Sequence, residues 1–213
     1  VVDTCIGNDK PRTYPKWNLM QGDFLARFAA AGFTTEQVDT VLCTHMHVDH
    51  VGWNTRWVDG RWQPTFPRAQ YLFAEDEWHH WRQEAQEYGP VIEDSVQPIF
   101  DAGQAVIVAQ QHQVTDEVSL QPTPGHTPGH VSVRIQSRGE VAIITGDMIH
   151  HPCQIAHPQW STLADTDPCA AAQTRGDFLQ RYGDQPVLVI GTHFAAPTAG
   201  HIVKDGNSYR LDY

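Results

Sequence analysis

The sequence predicts an α/β layered sandwich, and three observations carry that prediction. Strands and helices interleave along the chain rather than segregating into blocks. The apolar runs are short and rich in β-branched residues, as strands of a buried sheet are. Four of those runs end directly in loops of histidine, aspartate, glycine and threonine.

The elements follow in order. "VVDTC" is a β-rich run ending at Gly7. Across residues 18–31 Leu19, Phe24, Leu25, Phe28 and Ala29 share one helical face, with Gly32 as C-cap. "TTEQ" at 34–37 fits a capping box for one helical turn. "VDTVLC" is a strand, and "RWVDGRWQ" a hairpin turning at Asp59-Gly60 with Trp57 and Trp62 alongside. "AQYLFA" is a strand and residues 75–89 a helix ending at Gly89. "QAVIVA", "EVSLQP", "HVSVRIQS" and "EVAIITGD" are four more strands. A helix follows over 168–183, then a buried strand in "PVLVIGTH", then a hairpin turning at Asp205-Gly206. No linker, repeat or low-complexity stretch interrupts the 213 residues, which read as one domain.

Composition excludes several function classes. With 14 basic against 25 acidic residues the net charge is −11, and no basic run appears. Nucleic acid and anionic membrane surfaces are therefore not expected partners. No apolar stretch is long enough to span a membrane. Cys5, Cys43, Cys153 and Cys169 form no C-x-x-C pair and read as small buried thiols in a reducing, cytoplasmic compartment. The chain opens on Val1 inside an apparent strand, so further sequence is expected upstream. A leader there would leave a secreted or periplasmic location open. The oligomeric state is open as well, a homodimer among the options.

The chemistry is carried by the four loops. "THMHVDH" follows "VLC", "TPGHTPGH" follows "VSLQP", "TGDMIHH" follows "VAII" and "GTHF" follows "VLVI". Strand ends at one edge of a sandwich converge, so these residues can share one site. His45 and His47 are two apart and point the same way in extended backbone, while Asp49 and His50 can face a second centre. Imidazole with carboxylate suits zinc or another first-row divalent metal. One short cluster cannot fill two coordination spheres, so the other loops must contribute.

H-x-H-x-D-H, then T-P-G-H-T, T-G-D and G-T-H in this order closely resembles the metallo-β-lactamase-fold hydrolases, and the resemblance runs from Asp3 to the final hairpin. It implies an αβ/βα four-layer sandwich, here lacking its N-terminal strands. It implies two zinc ions, or another divalent first-row metal. His45, His47 and His126 would bind one, Asp49, His50 and His193 the other, and Asp147 would bridge them. Between His126 and His130, periodicity agrees with the resemblance. His130 opens "HVSVRI" on the face opposite Val131, Val133 and Ile135, whereas His126 lies in a Pro-Gly loop free to reach a metal. Asp3 matches an acidic position that supports the ligand loop in the family. His79, His80, His112, His157 and His201 read as surface residues. His150 and His151 either line the pocket mouth or sit outside it. Trp53, Trp57 and Trp160 either pack core and lid or form an aromatic substrate wall.

The implied reaction is attack on a carbonyl or phosphoryl centre by a hydroxide bridging the two metals, with Asp49 orienting it and passing its proton on. "GDMIHHPCQIAHPQW" and "GTHFAAPTAGHIV" resemble the branch containing methyl parathion hydrolase and related lactonases. The expected substrate is a small lactone, aryl ester or phosphotriester. The same fold offers two alternatives, a glyoxalase II-like thioester hydrolase and a mononuclear iron persulfide dioxygenase.

Overall fold

The alternating apolar runs form strands whose ladders keep their apolar faces in register. The computed structural model describes residues 1–84 and 88–213, grouped in two compact units, Val1–Val108 and Ala109–Tyr213. No helix among the described residues is long and apolar enough to cross a membrane.

In the first unit β1 (Thr40–Leu42), β4 (Gln70–Ala74) and β5 (Ala105–Val108) form a parallel sheet in the order β1-β4-β5. β2 (Thr55–Val58) and β3 (Arg61–Pro64) form the expected hairpin, with Trp57 opposite Trp62 and their rings 5.0 Å apart. Asp59 and Gly60 both take positive φ, the geometry of the tight turn whose twist matches the flanking strands. The capping box at Thr34 and Gln37 is present around a single 3₁₀ turn. Val41, Phe66, Tyr71, Phe73, Val96 and Ile99 are the fully buried centre of this unit's core. Trp53 is buried and stacks at 5.4 Å on Phe24, which packs against that core, in keeping with the packing role.

Four elements differ from expectation. The first helix, α1, spans only Phe24–Ala30, because Asn8, Asp9 and Lys10 hold Leu19, Met20 and Gly22 as a loop through hydrogen bonds. "VVDTC" is not a strand. Val2 makes one bridge to Leu42, and positive φ at Asp3 and Cys5 breaks the ladder. After the single turn α2 (Val48–Val51), α3 covers Glu75–Trp81 rather than 75–89, and residues 85–87 of that expectation lie outside the described residues. A π-helical turn at Ile92–Val96 runs into α4 (Gln97–Asp101), which the sequence reading missed. Pro98 reads as a breaker but sits in the first turn, where no helical hydrogen bond is lost. That turn is anchored from inside. The two terminal guanidinium nitrogens of Arg12, Nη1 and Nη2, donate to the Asp94 carboxylate, at 2.6 and 2.9 Å. Lys10 donates to Thr55 Oγ1 and lies 3.7 Å from the Trp62 ring centroid. Burial pushes the Lys10 ammonium down to about 7, against the pull of Asp94.

The second unit is a six-stranded sheet in the order β11-β10-β9-β8-β7-β6. Its strands are β6 (Val118–Pro122), β7 (Val131–Ser137), β8 (Glu140–Ile144), β9 (Val187–Ile190), β10 (Ala199–Asp205) and β11 (Ser208–Asp212). Only β8 and β9 pair in parallel, and α6 (Pro168–Tyr182) connects them. Asp167 caps α6, accepting from the Cys169 and Ala170 N–H groups, and Pro168 occupies the first turn. Phe178, Leu179 and Tyr182 of α6 bury against Ile143, Val189 and Ile202 of the sheet. The last hairpin turns at Gly206-Asn207, one residue later than expected, because Asp205 still pairs with Ser208. A short helix, α5 (Cys153–Ala156), was also not foreseen. All four thiols are free, but only Cys43 is buried, and Cys5 and Cys169 are exposed.

This topology positions the polar loops. In the second unit, Pro122 pairs with Val131, Val133 with Ile144, and Ile144 with Ile190. The ends of β6, β8 and β9 and the start of β7 thus lie at one sheet edge. His126 follows β6 by four residues, and Asp147 and His193 follow β8 and β9 by three each. In the first unit, β1 ends beside β4, and the loop after β1 carries His45, His47, Asp49 and His50.

Candidate metal centre

The histidine loop of the first unit is clamped by the N-terminal segment. Asp3 N–H donates to Leu42 O, Thr4 N–H to His50 O, Gly52 N–H to Cys5 O and Trp53 N–H to Thr4 O. This lacing turns Asp3 toward the loop at φ 54°, a conformation held against its intrinsic cost. Its carboxylate accepts from Thr44 N–H at 2.8 Å, Thr44 Oγ1–H at 2.9 Å and His50 Nδ1 at 2.9 Å. Since Thr44 Oγ1 gives its proton to Asp3, it accepts from His45 Nδ1–H, 3.0 Å away. Both imidazoles therefore carry the proton on Nδ1 and present the Nε2 lone pair. Asp3 supports the loop as expected. Thr44 was not foreseen, because a threonine between a cysteine and a histidine carries no pattern of its own.

His45 and His50 are fully buried, with ring centroids 4.0 Å apart. His45 Nε2 and His47 Nδ1 lie 3.0 Å apart. Two nitrogens bound to one tetrahedral zinc at about 2.0–2.1 Å are separated by about 3.3 Å, so this spacing fits a shared cation. Asp49 Oδ1 is 3.7 Å from His50 Nε2. Behind the loop, buried Glu77 at the start of α3 accepts from Met46 N–H and from the Trp81 indole, and the Trp81 ring packs edge-on against His47 at 5.1 Å. His79 on the same helix is exposed and pairs with Glu75.

The clamp requires glycine at 52. A Cβ there would stand 1.9 Å from Ile6 O, a backbone atom that cannot rotate away. Gly52→Ala is expected to lower stability by at least the roughly 1–3 kcal/mol typical of overpacking. A thermal melt checks this. An unchanged midpoint would show that the segment does not grip the loop.

In the second unit Asp147 is the hub. Its Oδ2 lies 3.1 Å from His193 Nε2, 3.1 Å from His150 Nε2 and 3.5 Å from His126 Nε2. Its backbone N–H donates to His130 Nε2 at 2.9 Å. His130 Nδ1–H then donates to Thr123 Oγ1, and the relay continues through Ser132 Oγ to Thr145 O. Both ring nitrogens of His130 are used by the protein, so His130 positions Asp147. His126 Nδ1 lies 2.9 Å from Asp165 Oδ1, which leaves Nε2 as the lone pair facing Asp147.

Asp165 and its partner Arg175 were missed by sequence reading. "LADTDP" carries no metal motif, and Arg175 lies on a helix face that reads as mixed. Arg175 is fully buried and donates to Pro158 O, Met148 O, Ser161 Oγ and Asp165 Oδ2. Burial alone would push the Asp165 carboxyl up. The hydrogen bonds from His126 and Thr162 and the charge of Arg175 outweigh it and hold the group below the usual carboxylate range. Gly125, at φ 128°, lets this loop pass α6, since a Cβ would meet Ala171 N at 2.2 Å. Trp160 is half exposed and stacks on His157, and Trp57 is half exposed on its hairpin.

Residues 1–193 match the family model described as the metallo-beta-lactamase superfamily. An N-acyl homoserine lactonase from Bacillus sp is 29% identical over 107 residues, 50% of this chain. The match spans only 36% of that relative's length. Among solved structures, a hydrolase of the β-lactamase superfamily named AbOPH superposes with TM-score 0.81 at 25% identity, covering 98% of this chain and 73% of that one. AidC, a dizinc quorum-quenching lactonase solved with a product bound, superposes with TM-score 0.80 at 21% identity, covering 99% and 73%. At that identity the likeness to AidC is one of fold.

Proposed function

Because this chain belongs to the metallo-beta-lactamase superfamily, we propose that it is a metal-dependent hydrolase of small ester-type substrates, with a lactone or aryl ester as its leading class. One observation carries the reading. Three buried imidazoles, His45, His50 and His126, give their Nδ1 protons to Thr44, Asp3 and Asp165, so each keeps its Nε2 lone pair for a cation. The donor set is imidazole and carboxylate without thiolate, which fits zinc, manganese or cobalt. His45, His47 and His126 would hold one ion, Asp49, His50 and His193 a second, with Asp147 between them. The single-domain organisation is part of this proposal, since each unit alone carries an incomplete set.

Bound divalent cations would supply Lewis acidity and lower the pKa of a water toward neutrality. The chain's own residues do the rest. Asp49, which is only half-buried, takes the proton of the attacking water at Oδ1 and returns it to the departing alkoxide. A bond from the water oxygen to the acyl carbon forms, and the bond to the leaving oxygen breaks. Asp3, Thr44, His130 and Asp165 keep the donors rigid, so little reorganisation accompanies charge development. The net charge of −11 disfavours polyanionic substrates.

The test is a panel of lactone, aryl ester, phosphotriester, thioester and nucleic acid substrates with purified, metal-analysed protein. We expect lactone or aryl ester turnover that chelation abolishes and added Zn²⁺, Mn²⁺ or Co²⁺ restores, with phosphotriester cleavage as a side activity. Preference for the thioester would move the substrate to the glyoxalase II-like class. No ester turnover, together with oxygen consumption on a persulfide by an iron-loaded protein, would overturn the hydrolase reading.

A further inference from the structure

Lys10 and Arg12 are both buried, and a single buried carboxylate, Asp94, faces the two of them. Arg12 holds that carboxylate at both oxygens, and Ser95 Oγ–H donates to Oδ1 as well, at 2.6 Å. Lys10 Nζ stands off at 3.5 Å from Oδ1. It donates instead to uncharged acceptors, Thr55 Oγ1 at 2.7 Å and Asp94 O at 2.9 Å, and faces the Trp62 ring. Asp9 also pulls on the ammonium, but its side chain is exposed and accepts from Gln21. Among the described residues neither cation pairs with another carboxylate.

With both cations charged, the cluster holds one buried positive charge in excess, an arrangement that favours loss of a proton. A guanidinium keeps its proton throughout the ordinary pH range, whereas a buried ammonium gives it up. Lys10 is therefore the group that resolves the imbalance, and burial brings it down to about 7. As a neutral amine it still has a hydrogen each for Thr55 Oγ1 and Asp94 O, so neither bond is lost. Its place in the fold gives this proton leverage. A Cβ at Gly7 would stand 2.7 Å from Lys10 Cε, so the stem packs against that residue. Gly7 directly follows the residues that lace the histidine loop, where Gly52 N–H donates to Cys5 O and Trp53 N–H to Thr4 O. Thr55 opens β2 just beyond that loop, and Asp94 lies in the π-helical turn. One side chain thus ties together three segments of the first unit.

We propose that Lys10 is a pH-operated latch on the segment that grips the histidine loop, closed as the neutral amine and loosened when the amine takes up a proton. The latch stands independently of the hydrolase reading. Opening it lets Lys10 reach water, where a lysine has its ordinary value of 10.5. Between about 7 and that value the open form binds one proton more than the closed form. Opening therefore becomes about tenfold rarer for each unit of rising pH in that window. Below about 7 both forms carry the proton, and the dependence on pH disappears.

Two readouts on the purified, metal-analysed protein test this. An NMR titration of Lys10 ¹³Cε and ¹⁵Nζ in the wild type should give a midpoint about 7. Native-state hydrogen exchange then follows the Thr4, Gly52 and Trp53 N–H groups, which bridge the segment and the loop. The range is from about pH 7.5 to about pH 9.5, where ordinary histidines are already neutral. In the regime where exchange reports the opening equilibrium, protection corrected for intrinsic rates should rise about a hundredfold across that range. Lys10→Met keeps an apolar stem but has nothing to titrate, and its protection should stay flat. A Lys10 midpoint of about 10 would overturn the proposal. Flat protection in the wild type would overturn it as well, even with a lowered midpoint, and so would an equal rise in Lys10→Met. If Lys10→Met does not fold, the two wild-type readouts decide by themselves.

Discussion

Asp147→Ala is expected to lose bound metal and turnover together. The carboxylate is almost wholly buried, and one of its oxygens lies within 3.5 Å of the Nε2 atoms of His126, His150 and His193. Alanine leaves these imidazoles converging on a point with no negative charge. Cations placed there would repel each other without compensation. The loss should exceed the roughly 10–100-fold that removing an outer partner of a ligand costs. The fold should survive, because the β8–β9 pairing and the α6 contacts do not use this side chain. Metal analysis alongside steady-state kinetics, with circular dichroism as the folding control, makes the measurement. Wild-type metal stoichiometry with full turnover would show that Asp147 holds nothing.

Asp165→Ala should act in two ways at once. It removes the acceptor for His126 Nδ1–H, and the ring is then free to turn its Nε2 away. Metal affinity should drop about 10–100-fold. It also strands Arg175, fully buried, without the carboxylate 3.5 Å away. Breaking a buried ion pair from one side costs about 3–5 kcal/mol, so the melting temperature should fall clearly. Asp165→Asn separates the two effects. Its amide oxygen can still accept from His126, so affinity should recover more than stability does. Equal metal affinity for wild type and Asp165→Ala, measured by chelator competition, would show that Asp165 serves Arg175 alone.

Much of this was legible in the residues. Short β-branched runs located all the major strands, and the Asp59-Gly60 hairpin and the Thr34 capping box formed where local chemistry places them. Elements failed where a distant segment outcompeted local propensity. Leu19 fits a helical face, yet Asn8 to Lys10 hold its neighbourhood as a loop. "VVDTC" has strand composition, yet Asp3 turns at positive φ to reach Thr44 and His50.

The site divides along the same line. Histidines and aspartates at strand ends announce a metal chemistry, because imidazole and carboxylate at that density are costly to bury without a partner. That His126 lies in the loop and His130 at the start of a strand was also within reach of strand periodicity. Only the tertiary structure decided which nitrogen each ring presents. That depends on an oxygen at the ring's far side, supplied by Asp3 across 47 residues to His50 and by Asp165 across 39 to His126. No local pattern encodes such a partner, since a hydrogen bond constrains distance in space and leaves separation along the chain free.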